Sequence, residues 1–272
     1  MSLSLSAPHG VALRWRFNAA PLLPWLVPAA LILAWQIGSD AGWITRRTLP
    51  SPLSIANAIA ALAWSGELFH HAAISLQRAV LGFVIGGTLG LGFGVLNGIS
   101  PLASRLLDTT LQMLRTIPHL AIIPMVILWF GIGEGAKIFL VAAGVFFPMY
   151  LNTYHGVRMA DAGLLEMGRV YRLSGWAVFW RVILPGAMPS VLLGVRYGLG
   201  IMWLTLIVAE TISASAGIGY MTMNAREFLQ TDVVLAGVLL YALLGKLSDV
   251  AAKVLERRCI AWHPSFAAQR EG

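Results

Sequence analysis

The sequence predicts an all-α integral membrane protein with six transmembrane helices, and three observations carry that prediction. Of 272 residues, 58% are apolar and only 11% charged, against about 25% charged in an ordinary soluble domain. The chain cannot coat a water-facing surface of its size. The mean hydropathy is +0.75. The charges also cluster, leaving tracts nearly free of Asp, Glu, Lys and Arg that approach the roughly 20 residues a helix needs to cross a bilayer.

Six such tracts are read as spans: Leu22 to Gly38, Ala79 to Ile99, Ile117 to Gly133, Ile138 to Gly156, Pro189 to Ala209 and Val233 to Ala252. Arg14 and Arg16 before the first apolar run resemble a signal peptide. The length of Phe17 to Ser39 and the lack of a clear small-x-small cleavage site favour a retained first span. The uncharged tract Thr48 to Gly66 holds Pro50, Ser51, Pro52, Ser54, Asn57 and Ser65, and reads as a short surface helix outside the membrane. The division is a tail at 1–21, a permeation domain at 22–252 and a second tail at 253–272.

Lys and Arg set the orientation, because cytoplasmic connections carry the excess. One set of connections holds Arg14, Arg16, Arg105, Arg115, Arg158, Arg169, Arg172, Arg181, Lys253, Arg257, Arg258 and Arg270. The other holds only Arg46, Arg47, Lys137 and Arg226. Both termini are therefore expected in the cytoplasm. The net charge of +7 reads as membrane topology, since no segment interleaves several basic residues with aromatics as a nucleic-acid face would.

The second span carries Gly82, Gly86, Gly90, Gly94 and Gly98. A repeat of four on a helix of 3.6 residues per turn makes one drifting stripe without side chains, where another backbone can approach closely. Catalytic signatures are missing. There is no Gly-x-Ser-x-Gly, no HExxH and no histidine cluster with metal-ligand spacing, and Cys259 is the only cysteine. Gly133-Glu134-Gly135-Ala136-Lys137 lacks the spacing of a phosphate-cradling loop. An ion-coupled carrier would need intramembrane carboxylates and paired broken helices. Only Glu210 and Asp249 offer carboxylates, both near span ends, and Lys246 with Asp249 is expected to form an i,i+3 pair. A membrane-embedded enzyme, the other competing class, lacks a nucleophile with a base.

The basic connection Val157 to Met188 reads as two short amphipathic helices, the first capped by Asp161 and ended by Gly175, the second capped by Ser174 and stopped by Pro185. Glu166-Met167-Gly168, Arg172 three residues on, and Val182-Ile183-Leu184-Pro185 after nine more resemble the EAA loop of ABC-importer permeases. Met167 and Gly168 replace two alanines of that pattern, and Arg172 stands where it has glycine. Leu49-Pro50-Ser51-Pro52, Leu106 to Val141 and Trp203 to Asp249 are similar to the nitrate, sulfonate and taurine branch, most of all to its aliphatic sulfonate members. The likeness covers roughly Pro24 to Trp262.

That resemblance implies the type I importer permease fold, a homodimer, two cytoplasmic ATPase subunits, and a periplasmic binding protein that delivers substrate. The chain would sit in the bacterial inner membrane among lipid and bind no cofactor itself, ATP and magnesium belonging to the ATPases. The residues implied to dock the ATPase are Glu166, Met167, Gly168, Arg172, Gly175, Leu184 and Pro185. For an anionic substrate, Arg78 and Arg196 are the expected sources of positive charge along the path, with Asn152, Tyr154 and Trp203 as further lining candidates.

Overall fold

A computed structural model describes residues 23–45, 47–260 and 262. The tail at 1–21, Leu22, Arg46 and residues 263–272, with Arg14, Arg16 and Arg270, lie outside the described residues. The described elements are helical throughout. In order they are α1 (Leu23–Asp40), α2 (Pro52–Ser65), α3 (Glu67–Ile99), α4 (Pro101–Thr116), α5 (Ile123–Phe130), α6 (Glu134–Arg158), α7 (Ala162–Val170), α8 (Gly175–Val178), a π-helical turn (Phe179–Ile183), α9 (Leu184–Ser213), α10 (Ile218–Glu227) and α11 (Thr231–Cys259).

The chain divides into residues 1–53 and 54–272. In the first part, α1 exposes Leu26, Val27, Leu31, Ile32, Leu33 and Ile37, the all-round apolar surface of a helix that meets lipid. In the second part, four helical stretches are long and apolar enough to cross a membrane: Glu67–Ile99, Glu134–Arg158, Gly175–Ile212 and Thr231–Cys259. Leu26–Asp40 and Pro52–Ser65 are shorter apolar helices.

The glycine stripe faces α6. A Cβ placed on Gly82 would lie 2.6 Å from Val141, on Gly86 2.1 Å from the Ala142 carbonyl oxygen, and on Gly90 2.5 Å from that of Phe146. On Gly94 it would lie 2.6 Å from Thr153 and on Gly98 2.5 Å from Val157. Gly92, off the stripe, has nothing within 4 Å. Residue numbers rise together along the two helices, so α3 and α6 run parallel. The chain must therefore travel back between Ile99 and Glu134.

That return corrects the expected third span. Ile117 to Gly133 is not one helix: a turn occupies Pro118 to Ile122, and α5 has 8 residues, about 12 Å of helix against a hydrocarbon core of about 30 Å. Pro118 forces Ile117 into extended backbone (φ −75°, ψ 119°), and Gly131 at φ 70° ends α5. The crossing is shared by α4, the turn and α5. Ser100 caps α4 by accepting from the Ala103 amide. Tyr150 of α6 then donates to Asp108 at 3.0 Å and accepts from Asn97 at 3.0 Å, tying α4 and α3 to α6.

Span limits also shift. α3 starts at Glu67 rather than Ala79, because His71, Ser75 and Arg78 in this polar run are paired with Gly217 and Glu210 inside the protein. α11 runs to Cys259, so residues 253–259 continue the last helix. α9 packs antiparallel on α6, where Gly156 meets Ala187 and Ser190 while Gly144 meets Thr205. α11 returns along α9, and Ala79, Val141, Val145, Met202, Leu206 and Tyr241 share one buried core.

Candidate functional site

Two polar constructions stand at opposite ends of this bundle. At the end where α6 finishes, Asp161 accepts from the Leu164 amide at 2.9 Å and starts α7, and Ser174 accepts from the Ala177 amide at 3.3 Å and starts α8. α7 ends differently from expectation. Gly175 is the first residue of α8, and the left-handed residue is Arg172 at φ 54°. The Leu173 amide donates to the Gly168 carbonyl at 2.9 Å and the Arg172 amide to that of Arg169 at 3.0 Å. This pair of bonds is a Schellman closure, which places Arg172 where glycine is normally required. Replacing it with glycine, Arg172→Gly, is expected to stabilise the loop by about 1 kcal/mol and to leave uptake intact. A thermal melt and an uptake assay on the purified complex check both.

Pro185 does not stop the second helix. Gly175 to Ile212 is helical without a break, and the π-turn at Phe179–Ile183 takes up the bond and the space that the proline ring denies to an α-helix. The loop therefore joins α9 rigidly. Gly168 is buried, and a Cβ there would lie 3.3 Å from Val178, so its lack of a side chain lets α7 close on α8. Met167, Leu164 and Tyr171 are exposed along one side of α7. Glu166 is exposed as well and makes no hydrogen bond or ion pair among the described residues. Leu184 and Pro185 begin α9.

At the other end, Arg78 is 3% exposed. It donates through Nη1 to Glu210 (2.7 Å) and to the Ala216 carbonyl (2.6 Å), through Nε to Glu134 (2.5 Å) and through Nη2 to Glu134 (2.7 Å). Glu210 also accepts from Ser75 (2.8 Å), Tyr241 (2.9 Å) and the Gly219 amide (2.9 Å). One buried carboxylate thus joins α3, α9, α10 and α11. Gly217, at φ 115°, would place a Cβ 2.4 Å from Glu210, so the connection between α9 and α10 passes directly over the carboxylate. Sequence reasoning placed Glu210 near a span end and assigned it no role. Its signal was an acid inside an apolar tract, which is costly unless paired.

The remaining path candidates all have partners inside the bundle. Arg196 pairs with Asp249 (Nε 3.0 Å, Nη2 2.9 Å), and Asp249 also pairs with Lys253 at 2.9 Å. This corrects the expected Lys246–Asp249 pair: Lys246 is exposed, and the i,i+4 lysine is the one that reaches. Trp203 donates to Ser248 at 2.8 Å, Asn152 to the Pro148 carbonyl at 2.8 Å, and Tyr154 accepts from Arg158 at 2.8 Å.

Residues 82–260 match the family described as binding-protein-dependent transport system inner membrane component. The chain belongs to that family. This permease is 58% identical to the putative aliphatic sulfonates transport permease protein SsuC of Escherichia coli K12, over 93% of this chain and 95% of that one. The taurine transport system permease protein TauC of the same organism is 34% identical, over 94% and 95%. In fold, the permease is similar to a solved amino acid ABC transporter, with a TM-score of 0.61 at 15% identity over 73% of this chain and 97% of that one. The permease is a multi-pass membrane protein and a transport component rather than an enzyme.

Proposed function

We propose that this permease is the membrane subunit of an ATP-driven importer for aliphatic sulfonates. Its likeness to a sulfonate permease far exceeds its likeness to a taurine permease of the same organism, and that contrast carries the substrate assignment. Two copies form the channel with two cytoplasmic ATPase subunits, and a periplasmic binding protein delivers the substrate. ATP and magnesium reside on the ATPases. The chain sits in the bacterial inner membrane, with both termini and the α7 loop in the cytoplasm and the Arg78 cluster outside. The parallel α3–α6 register, which requires a crossing between Ile99 and Glu134, supports this basic-residue orientation.

The α7 loop is the ATPase contact. Glu166 projects from it, unpaired among the described residues, beside Met167 and Tyr171, and the unbroken helix from Gly175 to Ile212 carries motion of the loop into the membrane. Closing of the ATPases pushes on this lever, while α3 and α6, packed backbone to backbone, move as one body. Charge reversal by Glu166→Lys is expected to lower both uptake and substrate-stimulated ATP hydrolysis by about tenfold or more, since a like-charge contact costs several kcal/mol. Folding is expected to be unaffected, because Glu166 loses no hydrogen-bond or ion-pair partner among the described residues. Unchanged hydrolysis and uptake would remove the docking role.

Deleting the gene tests the substrate. Growth on alkanesulfonates as the only sulfur source is expected to stop, with growth on sulfate unchanged. Loss of growth on taurine alone would move the assignment to the neighbouring branch.

A further inference from the structure

The two carboxylates that hold Arg78 differ in kind. The side chain of Glu210 is 0% exposed, whereas that of Glu134 is 56% exposed. Glu134 caps the fork of the guanidinium, its two oxygens meeting Nε and Nη2, and one of them also accepts from Lys137 Nζ at 3.1 Å. Lys137 has a side chain only 2% exposed, and Glu134 is its one ionic partner among the described residues. Two buried cations therefore aim three donor groups at a carboxylate that faces water. Arg78 and Glu134 border a cleft of about 300 Å³ that Gln77, Leu81, Ile138 and Ser215 also line, and Lys137 meets the Glu134 carboxylate from the buried side.

Charge counting gives this arrangement its chemistry. Arg78 and Lys137 balance Glu134 and Glu210. If Glu134 rotates into solvent, one positive charge remains uncompensated in a buried setting, which strongly favours an incoming monoanion. The guanidinium fork donates to a planar pair of oxygens, and the ammonium is left for a third oxygen. A sulfonate has three oxygens and one charge, and its alkyl chain would lie against Leu81 and Ile138. Glu134 begins α6 directly after the Gly131-Ile132-Gly133 turn, and an arriving anion also meets the positive end of that helix.

Building on the sulfonate-importer reading, we infer that Arg78 and Lys137 form an outer receiving site for an alkanesulfonate, with Glu134 as the internal anion that occupies the site between substrates. The exchange needs no net change of charge in the protein, so the substrate enters without a deep well and is expelled when the carboxylate returns.

The test uses the assembled complex in nanodiscs of phosphatidylcholine, without the binding protein, and butane-1-sulfonate as the probe. Glu134→Ala is expected to melt below wild type, and millimolar butane-1-sulfonate is expected to restore its melting temperature at constant ionic strength. Affinity for the probe should rise by about tenfold or more over wild type, because the internal competitor is gone. Glu134→Gln, which keeps the side-chain volume, should behave in the same way. Adding Lys137→Met should cancel both effects. Equal restoration by chloride would reduce the site to general charge screening and overturn the inference. Restoration by phosphatidylglycerol in place of the sulfonate would assign the site to lipid and overturn it as well. A purely structural ion pair predicts a lower melting temperature that no sulfonate repairs. Failure here with growth on sulfonates still dependent on the gene would refute the receiving site alone, whereas growth without the gene would refute the importer reading.

Discussion

Gly86→Leu is expected to leave no assembled permease, and Gly92→Ala to be silent. The first result follows from a Cβ that would lie 2.1 Å from the Ala142 carbonyl oxygen and 2.8 Å from two more backbone atoms of α6. No rotamer change relieves a clash with backbone, so α3 and α6 must separate. Even Gly86→Ala is expected to cost about 1–3 kcal/mol, the usual penalty of overpacking, and Gly90→Ala should be similar, with the Phe146 carbonyl at 2.5 Å. Separation at Gly86 also strains the Asn97–Tyr150–Asp108 chain further along the same helix pair. Detergent stability of the purified complex and uptake, measured across Gly86→Ala, Gly86→Leu, Gly90→Ala and Gly92→Ala, give the series. Wild-type stability for Gly86→Leu would mean that α3 and α6 do not pack through the stripe.

Glu210→Ala is expected to lower stability by about 3–5 kcal/mol, the usual cost of breaking a buried pair by removing one partner. Arg78 keeps Glu134 but loses its buried counter-ion, and Ser75, Tyr241 and the Gly219 amide lose their common acceptor. The connection between α9 and α10 loosens too, although the Ile218 amide still donates to Ser75 and the Gly217 amide to His71. Arg196→Gln is the internal control. Its partner Asp249 retains Lys253, and the side chains of the pair are 38% and 29% exposed, so solvent screens what is lost. A thermal melt of the complex should place Glu210→Ala well below wild type and Arg196→Gln close to it. Equal melts would show that Glu210 is not the hub of that end of the bundle.

Much of this was legible in residue order because the bilayer imposes simple rules on it. Apolar length marks α3, α6, α9 and α11, and a glycine every fourth residue marks a close helix contact. Asp161 and Ser174 caps are local and follow from hydrogen-bonding chemistry within three residues. Hydropathy failed where the chain is apolar but bent. Ile117 to Gly133 lacks charge, yet Pro118 and Gly131 break it, and a hydropathy average does not register φ and ψ. It failed again at the start of α3, where polarity reads as loop although Ser75 and Arg78 are paired inside the protein.

By itself, the sequence determined the class of the protein, its helical character, the spacing of the α3 stripe and the family to which the chain belongs. Each depends on composition or on contacts within a few residues. Tertiary structure alone decided which helix the stripe meets, that α3 and α6 run parallel, that Arg172 rather than Gly175 closes α7, and that Glu210 gathers donors from three other helices. Those choices rest on groups as far as 135 positions apart. The energy of a buried charge depends on what surrounds it in space, and one linear sequence does not state which distant donors will arrive there.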